Sequence, residues 1–387
     1  MSLPSAGGAS TAARFLAAMA DVDPVAWNAL AGDYPFLRHE FLSALESTGC
    51  VSSASGWSPH HLLLGDPSHP QVLAPLYEKA HSWGEFVFDF AWARAWEARG
   101  LRYYPKMLLA IPFTPATGPR VLCAHSGPAG QAARVLALRS IAAEARARAR
   151  SSAHALFIDE ALRAAAEEAG WLLRRDCHFQ WCNRGYRDFE DYLATFSAEK
   201  RKKARRERRR VAEQGIEFEI RGGTQLDPPL LRRIHALHAS TFLRHGHEPY
   251  LNAEFFIRVA AALGDTFIAA LAWRERELIA VAVYFRSIDT LYGRYWGTCG
   301  DFHSLHFEAC YHQGIEFCIR HGLQRFEPGT QGEHKLARGF EPTLTWSAHW
   351  LADATLRRAV QQYLHREAEG IDEYINAAAE HTPFRQS

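Results

Sequence analysis

The sequence lacks the cysteine spacing of a disulfide-stabilised or zinc-binding protein. No two of its cysteines form a CxxC pair, and their number is odd. The seven are scattered over the chain: Cys50, Cys123, Cys177, Cys182, Cys299, Cys310 and Cys318. Such a set is typical of reduced thiols, so we expect a cytoplasmic protein.

The chain also has almost no net charge and no long apolar segment. Its 44 Lys and Arg residues nearly balance 43 Asp and Glu residues, giving a formal charge of +1. This balance excludes a uniformly basic nucleic-acid coat or an acidic tail protein. No run reaches about eighteen apolar residues, so no transmembrane segment is expected. Residues 1–21 lack the basic and apolar regions of a signal peptide and are predicted to be a flexible lead-in.

Metal and nucleotide motifs are lacking as well. Gly293, Gly297 and Gly300 form neither a P-loop nor a dinucleotide fingerprint. Three pairs of histidines invite a metal interpretation: His235/His238, His245/His247 and His303/His306. None is joined by the close cysteine or carboxylate pattern of a well-formed zinc or di-iron site, so we expect no metal. A metal-dependent hydrolase is therefore a distant alternative.

At 387 residues, the chain is long enough for two domains. Each half shows a run of strands followed by helix and strand, which predicts an α/β (α+β) fold. We expect a first domain over 22–185 and a second over 186–387, the second with a basic helix at 197–213 and a long C-terminal helix. Single elements are predicted at 72–77 (strand), 85–100 (helix) and 307–321 (helix).

The region 294–340 gathers charged and amide side chains just beyond predicted strands, where α/β proteins usually carry out chemistry. We interpret the region as belonging to an enzyme of the acyl-transfer kind. Acyl transfer to an amine needs a base for the nucleophile and a positive group for the oxyanion. Glu308 and His312 share a face of the predicted helix. Further candidates for the base follow it: Glu327, Glu333 and His334. Tyr311 and Tyr295 are candidates for returning a proton, although each of these groups also fits a plain surface, capping or core role.

Three cations flank the same strand ends. Arg294 and Arg338 suit bidentate contact with an oxyanion or phosphate, and Lys335 suits a point-charge contact. The alternative is ordinary ion pairing with neighbouring glutamates.

In the first half, Glu85 and Asp89 lie among aromatic residues, where a carboxylate is costly to bury unless it is paired. Lys106 is the expected partner. A structural salt bridge and a role in binding the acceptor are both open.

The densest charge is the run Lys200–Arg210, with nine basic residues and one acid. The nine like charges repel one another, and a bound anion would reduce this repulsion and so stabilise the helix. We therefore expect Lys202, Arg205 and Arg209 to contact a donor's phosphates. The anion is a tRNA backbone, the phosphates of CoA or an anionic membrane surface, and a solvated helix is the plain alternative.

Several long segments resemble the FemAB-like family of predicted N-acyltransferases. They run from His81 to Trp350: HSWGEFVFDFAWARAWEARG, YYPKMLLAIPFTPATGPR, SSAHALF, QWCNRGYRDFEDYLATFSAEKRKKARRERRRV and FEPGTQGEHKLARGFEPTLTWSAHW. The resemblance implies two tandem GNAT-like domains, each a mixed, mostly antiparallel sheet flanked by helices. It also implies transfer of an acyl or aminoacyl group from an activated donor to an amine.

The GNAT pyrophosphate signature is missing, because its position reads Thr298-Cys299-Gly300-Asp301-Phe302-His303. The co-substrate, acyl-CoA or aminoacyl-tRNA, therefore stays open, with no permanently bound cofactor expected. A cell-wall (peptidoglycan) precursor or a small metabolite would be the acceptor. The alternative is a non-catalytic protein that binds RNA or an anionic surface on a degenerate transferase scaffold.

Overall fold

A computed structural model describes residues 13–244, 246–330 and 332–385. Its helices are α1 (Pro24–Ala31), α2 (His39–Ser47), α3 (Phe90–Glu97), α4 (Gly127–Ala147), α5 (Glu160–Glu168), α6 (Phe189–Ala194), α7 (Ala198–Glu213), α8 (Pro228–Arg244), α9 (Ala253–Leu263), α10 (Leu305–Phe307), α11 (Gln313–His321) and α12 (Ala354–Ala379). A π-helical turn, Glu308–His312, joins α10 to α11.

The strands are β1 (Ala13–Leu16), β2 (Trp57–Pro59), β3 (His61–Asp66), β4 (His69–Ala74), β5 (Leu76–Lys79), β6 (Lys106–Leu109), β7 (Leu122–Cys123), β8 (Ser152–Ile158), β9 (Leu172–Cys182), β10 (Glu217–Gly222), β11 (Phe267–Arg274), β12 (Glu277–Arg286), β13 (Thr290–Thr298), β14 (Arg325–Glu327) and β15 (Glu341–Leu351). Eleven form one sheet in the order β10-β11-β12-β13-β14-β9-β15-β8-β6-β5-β2, and the other four form a sheet in the order β1-β3-β4-β7. Only β13–β14 and β6–β8 pair in parallel among these strands. This mixed, mostly antiparallel architecture agrees with the predicted fold class.

The two halves of the chain share strands at the middle of the large sheet. β15 lies between β9 and β8, antiparallel to both, and β9 also pairs with β14. The sheet is therefore continuous across the predicted boundary at 185/186, and that boundary stays a prediction.

β13 and β14 separate after a short parallel contact. They pair only from Thr290–Tyr292 to Arg325–Glu327. The pairing of β13 with β12 also shifts, because Gly293 faces Tyr284 and Tyr295 faces Val283, which leaves Arg294 as the extra residue of a β-bulge. β14 ends at Glu327, where this pairing ends, and the loop that follows it borders a cavity.

Helix α8 packs very closely on β13. A Cβ on Gly297 would lie 2.2 Å from the carbonyl carbon of Leu237, so only glycine fits there. Around this contact, the largest apolar core includes the buried rings Phe36, Phe41 and Phe285. The backbone of α8, whose C-terminal end borders the cavity, is thus held by tight packing.

Several predicted elements differ from the structure. Residues 85–89 are irregular, and the predicted helix at 85–100 begins only at Phe90. The predicted strand at 72–77 is two strands in different sheets, β4 and β5, and the helix at 307–321 contains the π-helical turn. Of the predicted lead-in, residues 1–12 lie outside the described part, whereas Ala13–Leu16 pair with β3.

Candidate functional site

A cavity of about 790 Å³ lies beside the loop that follows β14. The loop after β14 and the π-helical turn form one wall, and the C-terminal end of α8 forms another. Its lining residues are Phe86, Thr241, Phe242, His247, His306, Tyr311, Pro328, Gly329, Thr330, His334 and Lys335. The predicted candidates Tyr311, His334 and Lys335 are thus brought together.

Tyr311 and His334 form a polar pair at the cavity wall. The Tyr311 hydroxyl lies 2.8 Å from His334 Nε2. Burial raises the pKa of Tyr311, which stays a hydroxyl at neutral pH. Burial, with the nearby cations Arg338 and Lys335, lowers the pKa of His334. A neutral imidazole next to a protonated phenol can accept a proton and pass it on.

Lys335 is the buried cation of the cavity. Its side chain is 1% exposed, and Nζ donates a 2.5 Å hydrogen bond to the Gly329 carbonyl oxygen. Burial lowers its pKa to about 7. Near neutral pH the amine is therefore divided between its charged and uncharged forms, in contact with the cavity.

Glu327 lies at a smaller cavity of about 20 Å³ that also touches Gly329 and His178. The Thr117 backbone N–H donates a 3.2 Å hydrogen bond to its Oε2. Burial raises the pKa of Glu327 to about 7. Arg294 lines neither cavity, because its Nη2 donates a 2.7 Å hydrogen bond to the Phe113 carbonyl oxygen.

The other predicted bases point away from the cavity. Glu308 is 3% exposed and accepts a 3.1 Å hydrogen bond from Arg208 Nε on α7. His312 Nε2 lies 3.3 Å from Glu207 Oε2, also on α7. Glu333 accepts a hydrogen bond from the Tyr374 hydroxyl of α12 at 3.1 Å. The structure therefore separates these three from the pair Tyr311–His334.

Sequence reasoning missed Glu207, the one acid of the basic run. This residue is 7% exposed, and Arg338 Nη2 donates a 2.6 Å hydrogen bond to its Oε1. The Arg338 guanidinium also lies 3.6 Å from the centroid of the Phe307 ring. Its isolation among nine cations was the available signal, because a lone carboxylate in such a run is a natural inward-facing partner. Arg338 thus contacts α7 and does not line the cavity.

The outer face of α7 carries the cations that were predicted to bind phosphates. Lys202, Arg205 and Arg209 are exposed. Arg205 pairs with Glu190 across the helix–helix junction, and Arg209 lies 3.4 Å from Glu213. Buried Ala204 and Val211 fix the opposite face, so these charges point to solvent.

Glu85, Asp89 and Lys106 meet in the interior of the first half. Lys106 Nζ lies 2.9 Å from Glu85 Oε2 and 2.5 Å from Asp89 Oδ2, and all three residues are at most 4% exposed. Burial raises the pKa of Glu85 to about 7. Burial opposes ionisation of Asp89 too, but Lys106 and His154 outweigh it and lower its pKa. The expected ion pair is present, and none of its members lines the cavity.

A second cavity, of about 760 Å³, adjoins the first and shares Thr241 and His306 with it. It is lined by Thr298 and Gly300–His303, the position where the pyrophosphate signature is missing, and by Arg244. Arg244 Nη2 donates a 3.0 Å hydrogen bond to the Thr298 carbonyl oxygen. The lining of the second cavity thus includes one arginine, whose Nη1 lies 3.9 Å from Asp301 Oδ1.

Over residues 13–244, 246–330 and 332–385, no three His, Cys, Asp or Glu side chains are grouped as metal ligands. His245 lies outside these residues. In the same ranges, no helix combines the length and apolar character needed to cross a membrane.

Three solved structures are similar to this fold. The C-terminal DUF2156 domain of a protein from Agrobacterium fabrum, named as a lysylphosphatidylglycerol synthetase, has a TM-score of 0.52 at 11% identity and covers 89% of this chain and 96% of its own. L-PGS from Bacillus licheniformis has a TM-score of 0.50 at 9% identity, covering 84% and 96%. A tandem GNAT protein from the clavulanic acid pathway has a TM-score of 0.43 at 14% identity, covering 88% and 98%.

At such identities, the likeness concerns the fold alone, and the structures with TM-scores of 0.52 and 0.50 agree with the predicted mixed α/β class. No curated protein matches the sequence significantly. A family match covers residues 18–386, nearly the whole chain, under the description peptidoglycan biosynthesis/recognition. The chain therefore belongs to the FemAB-like family.

Proposed function

We propose that the protein is an N-acyltransferase that moves an acyl or aminoacyl group from an activated donor to an amine. The observation that carries this proposal is the cavity beside the loop after β14, with Tyr311, His334 and Lys335 on its walls. A base and a cation facing one space are the minimum that acyl transfer to an amine requires.

His334, Tyr311 and Lys335 each have a separate role in the proposed reaction. The amine nitrogen attacks the acyl carbonyl carbon and gives its proton to the Tyr311 oxygen, as that hydroxyl passes its own proton to His334 Nε2. The Lys335 ammonium steadies the negative oxygen of the tetrahedral intermediate. As that intermediate collapses, the bond to the leaving thiolate or ribose oxygen breaks, and the proton passes to the leaving group through the Tyr311 hydroxyl, 2.8 Å from His334.

The donor is acyl-CoA or aminoacyl-tRNA, and the second cavity with Arg244 is the proposed place for its phosphates. Lys202, Arg205 and Arg209 on the outer face of α7 would extend this contact to a larger polyanion. The family description supports an amine of a peptidoglycan precursor as the acceptor.

The experiment is a transfer assay with purified protein, radiolabelled acetyl-CoA or alanyl-tRNA as donor, and peptidoglycan-precursor pentapeptide or simple amines as acceptors. We expect an amide product with one donor and its loss in Lys335→Met, a change close in volume that removes the charge. No product with either donor, from protein whose circular dichroism is that of a folded chain, would refute the proposal.

A second candidate function is anion binding without catalysis. The exposed cations of α7 favour it, because Lys202, Lys203 and Arg206 point to solvent on one helix. It predicts RNA or anionic-vesicle binding that is unchanged by Lys335→Met, together with no transfer.

A further inference from the structure

One first-half residue reaches the cavity through residues 82–89, which we call the strap. The strap has an irregular backbone, and within it Phe86 lines the cavity with a left-handed φ of 63°. A non-glycine residue with positive φ is uncommon and persists where its surroundings fix it. The position of the Phe86 ring is therefore set by the strap's attachments.

The Lys106 ammonium group forms hydrogen bonds with three residues of the strap. Its Nζ donates to Ser82 Oγ at 2.9 Å, to Glu85 Oε2 at 2.9 Å and to Asp89 Oδ2 at 2.5 Å. These residues flank Phe86 on both sides. The buried ion pair thus holds both ends of the segment that presents the ring.

Two further contacts seat the strap. A Cβ on Gly84 would lie 2.8 Å from the Phe113 ring, so the backbone rests directly on that ring. Arg174 Nη1 donates a 3.0 Å hydrogen bond to the Phe88 carbonyl oxygen. The Phe88 side chain, by contrast, is 48% exposed and stacks on Phe90, 5.4 Å away between ring centroids. Phe86 and Phe88 are therefore two aromatic residues of one strap with different surroundings.

Among the residues that the structure describes, none that lines the cavity carries a carboxylate. Its ionisable groups are Lys335, the histidines and Tyr311, with Phe86 and Phe242 as apolar walls. A protonated amine would meet no opposite charge here, whereas an uncharged acyl group would find apolar surface and, at Lys335, a donor for its carbonyl oxygen.

We propose that Phe86 limits the size of the acyl group that the cavity accepts, and that the Lys106–Glu85–Asp89 cluster acts as its positioning device. The favoured acyl group is uncharged. This inference rests on the proposed transfer reaction and adds a specificity residue from the first half of the chain.

The test compares Phe86→Ala with its matched control Phe88→Ala. Donors are acetyl-CoA and phenylacetyl-CoA, with N-acetylalanyl-tRNA and N-acetylphenylalanyl-tRNA as a second pair, so that every acyl group is uncharged. We expect Phe86→Ala to raise the ratio of kcat/KM for the large acyl group over the small one about tenfold. Phe88→Ala should leave this ratio unchanged. An equal ratio in Phe86→Ala and wild type would overturn the inference while leaving the transfer reaction intact.

Glu85→Gln tests the positioning role, because it keeps the side-chain shape and weakens the tie to Lys106. We expect the same ratio to move part of the way toward that of Phe86→Ala, and Phe86→Leu to lie between wild type and Phe86→Ala. A purely structural role of Glu85 would lower the melting temperature and leave the ratio at its wild-type value.

A readout without catalysis separates the two proposals. In a fluorescence titration with 8-anilinonaphthalene-1-sulfonate, an aromatic anion, we expect Phe86→Ala to change Kd severalfold and Phe88→Ala to leave it unchanged. If no donor gives product yet this difference appears, the proposed function fails and Phe86 keeps its place on the cavity wall. A dye Kd that is unchanged in Phe86→Ala would show that the Phe86 side chain does not shape the cavity.

Discussion

Arg338 Nη2 donates a 2.6 Å hydrogen bond to Glu207 Oε1 and so joins the loop after β14 to the basic helix α7. The same carboxylate has its other oxygen 3.3 Å from His312 Nε2. Arg338 is three residues after Lys335, so the pair fixes the loop that carries the cavity's cation. A charged helix facing solvent is thus anchored to the candidate site by its one buried acid.

Glu207→Ala should destabilise the protein by about 3 kcal/mol, because it leaves the buried Arg338 guanidinium without its carboxylate. The measurement is the free energy of unfolding in urea. Glu213→Ala is the matched control on the same helix, where an exposed pair with Arg209 contributes at most about 1 kcal/mol. Equal losses in the two variants would contradict the role assigned to Glu207.

Transfer should slow as pH rises through about 7, because burial lowers the pKa of Lys335 to about 7. Below that pH the side chain is a cation that steadies the oxyanion, and above it the side chain is neutral. His334, whose pKa is lowered, stays a base over this range. The check is kcat/KM against pH. Lys335→Arg, which keeps its charge, should remove the decline, and a decline that persists in this variant would assign it to another group.

Tyr311→Phe should lower kcat by about a hundredfold, since it removes the hydroxyl 2.8 Å from His334 Nε2 and leaves the ring in place. Tyr363→Phe on α12 serves as the control, because its hydroxyl contacts Glu367 on the same helix. Stopped-flow or steady-state assays at saturating donor give kcat directly. Unchanged kcat in Tyr311→Phe would remove the phenol from the proton path.

Replacing Lys202, Arg205 and Arg209 together by Gln should weaken tRNA binding and make the slope of log K against log salt shallower by about 2. The control is a triple change at Arg94, Arg99 and Arg102, which are exposed in the first half. Filter binding at several salt concentrations gives both slopes. Equal tRNA affinities and equal salt slopes in the two triple variants would show that α7 does not bind tRNA through these three cations.

Local patterns were enough to predict the basic helix at 197–213 and the long C-terminal helix, because the helical period appears in neighbouring residues. The predicted helix at 85–100 was wrong over residues 85–89 for a physical reason. Glu85 and Asp89 are captured by Lys106, and Phe86 has a positive φ that no helix allows. These contacts depend on Lys106, seventeen positions beyond Asp89, and the periodicity of neighbouring residues does not indicate so distant a contact.

The candidate site was predicted in part. The sequence offered Tyr311 and His334 as catalytic candidates and Lys335 as a donor-binding cation, and the structure places all three on the lining of one cavity, while their roles stay a prediction. Glu207 and Phe86 were not named, because each reaches the site from a distant segment. Their contacts follow from tertiary packing, which the sequence pattern alone does not specify.

The position of β15 between β8 and β9 constrains how the chain is made. During synthesis, residues 152–182 leave the ribosome long before residues 341–351. The backbone groups of β8 and β9 that pair with β15 therefore stay unpaired until β15 has been made. A fragment ending near residue 185 would keep those groups unpaired and be prone to aggregate. Folding of the nascent first half therefore completes only after the second half has been translated.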